Sequence, residues 1–113
     1  MTQAAALDEG LGIAARTGQA WTLAELHRQK GELLRRSDPA AAEACFQQAI
    51  GTARHQSAKL FELRASVSLA RLWHEHGRRT EAQNLLAPVL GQFTEGFDAP
   101  DLKDASALLE TLR

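Results

Sequence analysis

Apolar residues recur at three- and four-residue spacings through nearly the whole chain. Ala42, Phe46, Ala49, Ile50 and Ala53 form one stripe, and Ala82, Leu86, Val89, Leu90 and Phe93 another. This is the periodicity of helices with one buried face, and no segment sustains the period-two alternation of a strand. The breaks divide the chain into helical stretches. Gly18 ends a first stretch, from about Gln3 to Thr17. A second runs from about Trp21 to Arg36, and Ser37-Asp38-Pro39 stops it. Asp38 as N-cap and Pro39 at the first helical position start a third, which reaches about His55. A fourth spans about Ala58 to His76, with Gly77 as a left-handed C-cap. Thr80 and Gln83 have capping-box spacing for a fifth, in which Pro88 predicts a kink or a new first turn. After an irregular run from Gly91 to Pro100, a last helix covers about Asp101 to Leu112. An all-α chain of about six helices is expected, with sequential neighbours antiparallel because the connections are short.

The stripes also repeat at long range, 39 or 40 residues apart. Leu7, Gly10, Leu11 and Ala14 align with Phe46, Ala49, Ile50 and Ala53, and these with Leu86, Val89, Leu90 and Phe93. Between them, Trp21, Leu26, Gly31, Leu33 and Leu34 align with Leu60, Ala65, Ala70, Leu72 and Trp73. Ala105, Leu109 and Leu112 continue that second series. A small residue three before a large one, as in Gly31 and Leu34 or Ala70 and Trp73, lets two helices approach closely while the large side chain fills the adjoining groove.

The series Gly31, Leu34, Ala42, Phe46, Ala49 and its counterpart Ala70, Trp73, Ala82, Leu86, Val89 resemble the tetratricopeptide repeat (TPR). The repeat is longer than that family's, and it lacks the opening tryptophan and closing proline. The resemblance implies antiparallel helical hairpins stacked as a TPR-like α-solenoid. Residues 1–113 would form one domain: 1–18 the second helix of an incomplete repeat, 19–56 and 57–97 two full repeats, and 98–113 a capping helix. A narrower resemblance rests on residues 24–34, 44–50, 62–65 and 68–73, and above all on Leu85-Leu86-Ala87-Pro88-Val89, Phe93 to Asp98 and Asp101-Leu102-Lys103. These look like the C-terminal repeat segment of large bacterial adenylate/guanylate cyclases and ATPase-containing transcriptional regulators. That implies a sensor or scaffold segment and brings over no catalytic residue.

Composition narrows the function further. The 113 residues carry 13 Lys and Arg against 14 Asp and Glu, a formal net charge of −1, which argues against generic nucleic-acid or membrane binding. One cysteine excludes an intramolecular disulfide, and no apolar run reaches the ~20 residues of a membrane span. Met1 to Gly10 has no basic n-region, so a cytoplasmic setting is expected.

Candidate chemistry is sparse. His74 and His76 stand two apart on a helix, about 200° around the axis, and diverge rather than share a metal. Cys45, between Ala44 and Phe46, reads as a small buried hydrophobe rather than a nucleophile. Gly10-Leu11-Gly12 lacks the third glycine of a dinucleotide fingerprint, and no phosphate-binding Gly-Lys-Ser/Thr loop exists. Asp98, Asp101 and Asp104 lack the ligand order of a calcium loop, and Asp98 and Asp101 suit the start of the last helix. Trp73 reads as core, and Phe93 and Phe97 as a clamp on the last helix. No catalytic residue, cofactor or metal site is expected.

In a hairpin array the first helix of each pair lines the concave side. That places Glu25, Arg28, Glu32 and Arg35 beside Arg64, Val67, Arg71 and His74. Arg28 and Arg35 have Glu25 and Glu32 at pairing distance in sequence, whereas Arg64 has no acidic residue three or four away and Arg71 has only Glu75. A non-enzymatic protein or peptide interaction scaffold is the expected function. The alternative is a small ligand-sensing domain with a pocket between helices, coupled to a cyclase or a transcription regulator. The half-covered apolar face of the first stretch, with Leu7, Leu11 and Ile13, predicts either a homo-oligomer through the N-terminal helix or truncation from a longer array.

Overall fold

The computed structural model describes residues 20–96 and 99–113. Five helices account for most of these residues: α1 (Ala20–Leu34), α2 (Pro39–His55), α3 (Lys59–Glu75), α4 (Arg79–Leu90) and α5 (Pro100–Leu112). No strand occurs among the described residues. The expected first helix, and with it the count of six, lies outside them, as do Gly18, Leu7, Leu11, Ile13 and Phe97.

The helix ends follow local chemistry. The Asp38 side chain accepts the Ala41 N–H at 3.1 Å, and Pro39 opens α2, as the sequence predicts. Both α2 and α3 close with paired backbone bonds from a left-handed residue. In α2 the Ala58 N–H reaches the Ala53 carbonyl at 2.8 Å and the Ser57 N–H the Arg54 carbonyl at 3.1 Å. In α3 the Arg78 and Gly77 N–H groups bond the Trp73 and His74 carbonyls at 2.8 and 3.1 Å. Gly77 has φ +76°, the conformation expected of it, and Ser57 takes φ +55° at the matching place.

One sequence expectation fails at α4, and one of the two alternatives for Pro88 is excluded. The Thr80–Gln83 capping box does not form: α4 starts at Arg79, and its N-cap, Arg78, makes no side-chain cap bond. The turn through Gly77 is so tight that Thr80 already lies within the first turn. Pro88 does not open a new helix. It sits inside α4, which ends two residues later at Leu90, so the missing N–H falls where the helix is already finishing.

Sequential helices pack on one another, and α3 also touches α1 and α5. Ion pairs and hydrogen bonds fix the directions. Arg54 near the end of α2 bonds Glu62 near the start of α3, at 2.7 Å, while Trp73 near the end of α3 bonds Glu43 near the start of α2. Arg79 at the start of α4 donates to the Leu112 carbonyl at the end of α5, at 2.8 Å, satisfying one of the terminal acceptors of that helix. Sequential neighbours are therefore antiparallel. Arg35, just past the end of α1, and Glu75 at the end of α3 meet at 3.2 Å across the ends of helices that run side by side in one direction.

α3 is the central element. Leu63, Ala65, Ser66, Val67, Ser68, Leu69, Ala70 and Leu72 are all buried, so the helix is covered on nearly every side. One apolar cluster joins Ala42, Phe46, Ala49 and Ile50 of α2 to Ala65, Leu69 and Leu72 of α3. A second joins Leu63, Val67 and Ala70 to Ala82, Leu86 and Val89 of α4 and Leu102, Ala105 and Leu112 of α5. Trp73 packs against both, and Phe93 packs against the second. Gly31 of α1 lies under the Phe46 ring, where a Cβ would come within 2.5 Å of Cε1. Leu33, though aligned with the buried Leu72 by the 39-residue spacing, is 42% exposed, and Leu60 is 38% exposed. No helix among the described residues is long and apolar enough to cross a membrane.

Candidate functional site

α1, α3 and α5 together frame a half-open cleft of about 300 Å³. Its walls are Glu25 and Arg28 from α1, Arg64, Val67, Ser68 and Arg71 from α3, and Asp101 and Asp104 from α5. Helical periodicity explains the α3 contribution: residues at i, i+3, i+4 and i+7 share one face. Val67 and Ser68 are buried at its floor, 7% and 3% exposed, and the charged side chains rise around them.

Two of the three arginines are tied to carboxylates. Arg28 holds Glu25 in a two-pronged pair, with Nε to Oε2 at 3.0 Å and Nη2 to Oε1 at 2.5 Å. That hydrogen bond raises the Arg28 pKa further, against the opposing effect of burial and with help from the charges of Glu25, Glu32 and Asp101. Arg64 donates from Nε to Asp101 Oδ2 at 3.1 Å, with Nη2 3.0 Å from the same oxygen, and its guanidinium carbon lies 5.4 Å from the centre of the Phe61 ring. The Arg64 partner comes from α5, 37 residues along the chain. Sequence spacing reads Asp101 only as a charge at a helix start.

Arg71 and Asp104 are exposed and make no ion pair or hydrogen bond among the described residues, and the Ser68 hydroxyl makes none either. Glu75, one turn beyond Arg71, bonds Arg35 instead. Four of the six candidate residues on this face, Arg28, Arg64, Val67 and Arg71, thus line one cleft. The other two do not. Arg35 is held at the far end of α1 by Glu75 and, at 3.9 Å, by Glu32. His74 is exposed in the last turn of α3, past the end of the cleft. Ser68, Asp101 and Asp104 are the lining residues that sequence reasoning misses for this face. Asp101 reads as a helix-start charge and Asp104 as part of a polar outer face, while Ser68 carries no charge to mark it.

A smaller cleft, about 190 Å³, lies between Pro39, Ala40 and Glu43 of α2 and Leu72, Trp73, His76 and Arg78. It is closed upon itself. Glu43 accepts from Trp73 Nε1 and from Arg78 Nη1, and Arg78 lies 4.8 Å over the Trp73 ring while also holding Glu81. The Glu81 and Glu43 bonds raise the Arg78 pKa, and the same Arg78–Glu81 bond lowers that of Glu81.

Among the described residues no cluster of three or more His, Cys, Asp or Glu is placed to hold a metal ion. Cys45 is buried. No family model, curated protein or solved structure matches the chain.

Proposed function

We propose that the chain is a non-catalytic interaction module, a TPR-like α-solenoid segment whose α1–α3–α5 face takes up a peptide or a domain of a partner protein. The cleft on that face carries this reading: paired arginines and carboxylates from three helices surround a short apolar floor. Such a surface offers directional contacts to a polypeptide and presents no nucleophile beside a base. The spacing of small and large residues supports the repeat assignment, with Gly31 seated under Phe46 and Ala70, Ala82 and Leu86 buried in one cluster. The resemblance to the repeat tails of bacterial cyclases and regulators supports a role in cytoplasmic signalling. Self-association through Leu7, Leu11 and Ile13 belongs to the same reading, and Leu11→Glu should leave a monomer by light scattering.

Selection of random, terminally blocked peptides against the wild type, counter-selected on the Arg64→Glu/Arg71→Glu double variant, tests the proposal. Selected sequences should bind the wild type and lose about tenfold or more on the variant. Failure to enrich any sequence, or equal binding to both proteins, would overturn it.

A further inference from the structure

We infer that the cleft between α1, α3 and α5 binds a free α-amino acid, whose carboxylate is held by Arg71 and whose ammonium group is held by Asp104. This goes beyond peptide docking, because residues within a peptide lack both charges.

The inference starts from the groups the cleft leaves unused. Arg28 is satisfied by Glu25 and Arg64 by Asp101. Arg71, Asp104 and the Ser68 hydroxyl have no partner among the described residues, yet all three line the same space. A free guanidinium and a free carboxylate on neighbouring helices would ordinarily pair. Their backbone positions are offset along the two helices. The Arg64–Asp101 pair sets the two helices in register, and from there Arg71 lies about 10 Å along α3 but Asp104 only about 4.5 Å along α5, at 1.5 Å rise per residue. The resulting offset of about 6 Å suits a small molecule that carries opposite charges at neighbouring atoms and makes one charge-assisted contact to each side.

Charge decides the ligand class. The three arginines Arg28, Arg64 and Arg71 oppose a cation, and the three carboxylates Glu25, Asp101 and Asp104 oppose a phosphate or a dicarboxylate. A zwitterion meets both free groups and disturbs neither existing pair. The volume, about 300 Å³, stands at the small end of ligand pockets and accommodates one amino acid. The Ser68 hydroxyl adds a donor and acceptor at the floor, and Val67 is the one apolar wall, so a short or polar side chain fits best.

Calorimetric titration of the intact chain with each of the twenty amino acids tests the inference, together with the N-acetyl and amide derivatives of any that bind. At least one amino acid should bind with a dissociation constant below about 1 mM. Blocking either end should weaken it by about tenfold or more, as should Arg71→Gln and Asp104→Asn separately. Both residues are exposed, so these variants should keep the wild-type circular dichroism and melting temperature. Arg113→Gln, in a surface pair outside the cleft, should bind as the wild type does. The inference is overturned if no amino acid binds at about 10 mM, if blocked derivatives bind equally well, or if loss of Arg71 or Asp104 changes nothing. Those outcomes leave binding of blocked peptides to the wider face untouched, so the two proposals fail separately.

Discussion

At the residue scale, identical substitutions have opposite consequences according to what they meet. Gly31 and Gly51 are both helical, and alanine at either gains about 1 kcal/mol of helix propensity. At Gly51 a new Cβ would meet nothing within 4 Å, so Gly51→Ala should stabilise by about 0.5–1 kcal/mol. At Gly31 it would press on the fully buried Phe46 ring, which has nowhere to go. Overpacking of that kind costs about 1–3 kcal/mol, so Gly31→Ala should be destabilising overall. Urea denaturation of the two variants checks the contrast. The left-handed positions give a second one. Ser57 adopts φ +55° where Gly77 adopts +76° in the equivalent turn. Ser57→Gly should stabilise by about 0.5–1 kcal/mol and Gly77→Ser should destabilise comparably, read as opposite shifts in melting temperature. His27 supplies a pH dependence. Its Nδ1 is buried without a hydrogen-bond partner, and burial, reinforced by the charge of Lys30, lowers its pKa below the ordinary histidine value of 6.5. The unfolded chain then binds more protons near that value, so this contribution is complete above pH 6.5 and is lost as pH falls through the lowered value. His27→Gln should flatten the decline in urea midpoint below pH 6.5, and an unchanged slope would assign the decline to other groups.

At the element scale, the helices were legible because their signals are local. Apolar spacing marked all five described helices, and Asp38-Pro39 and Gly77 marked ends that the structure reproduces to within a residue or two. Thr80 misleads because a capping box needs its Ser or Thr at the N-cap, and the turn through Gly77 puts Arg78 there and Thr80 inside the first turn. On the candidate face, the i, i+3, i+7 arithmetic found Arg64, Val67 and Arg71 but ran on to His74, because spacing alone does not show where a neighbouring helix stops. The partners of the arginines were not legible: Asp101 and Glu75 reach Arg64 and Arg35 from other helices. The same holds for Arg54 and Glu62, and that pair yields a prediction. Glu62 is 5% exposed, whereas the Arg54 side chain is 57% exposed. Removing the arginine strands a buried carboxylate, while Glu62→Gln removes the buried charge and keeps an acceptor. Arg54→Ala should therefore cost about 1–2 kcal/mol and Glu62→Gln less than about 1 kcal/mol. The reverse order in chemical denaturation would show that Glu62 is solvated by another route.

At the scale of the whole molecule, α3 decides how the fold holds together. Its residues supply Ala65, Leu69 and Leu72 to one apolar cluster and Leu63, Val67 and Ala70 to the other, and Trp73 touches both. Neither cluster closes without this helix. Among the described residues, the α1–α2 hairpin packs against its own inner face and the α3 flank, and the α4–α5 hairpin is in the same position on the other flank. An array whose units each contact only their neighbours can melt piece by piece when the interfaces are weak. Here the interface is itself the central helix, so losing one side exposes buried positions of the other. Unfolding should be a single transition, with tryptophan fluorescence and far-ultraviolet circular dichroism giving coincident curves. Leu69→Ala, in the first cluster, and Leu63→Ala, in the second, each remove a fully buried side chain and should cost about 2–5 kcal/mol. Both should move the two curves together, because α3 transmits either defect across the molecule. A variant in which circular dichroism splits into two steps while the tryptophan signal follows only one would show that the hairpins unfold independently. The shared helix would then be a junction between two units rather than the centre of one.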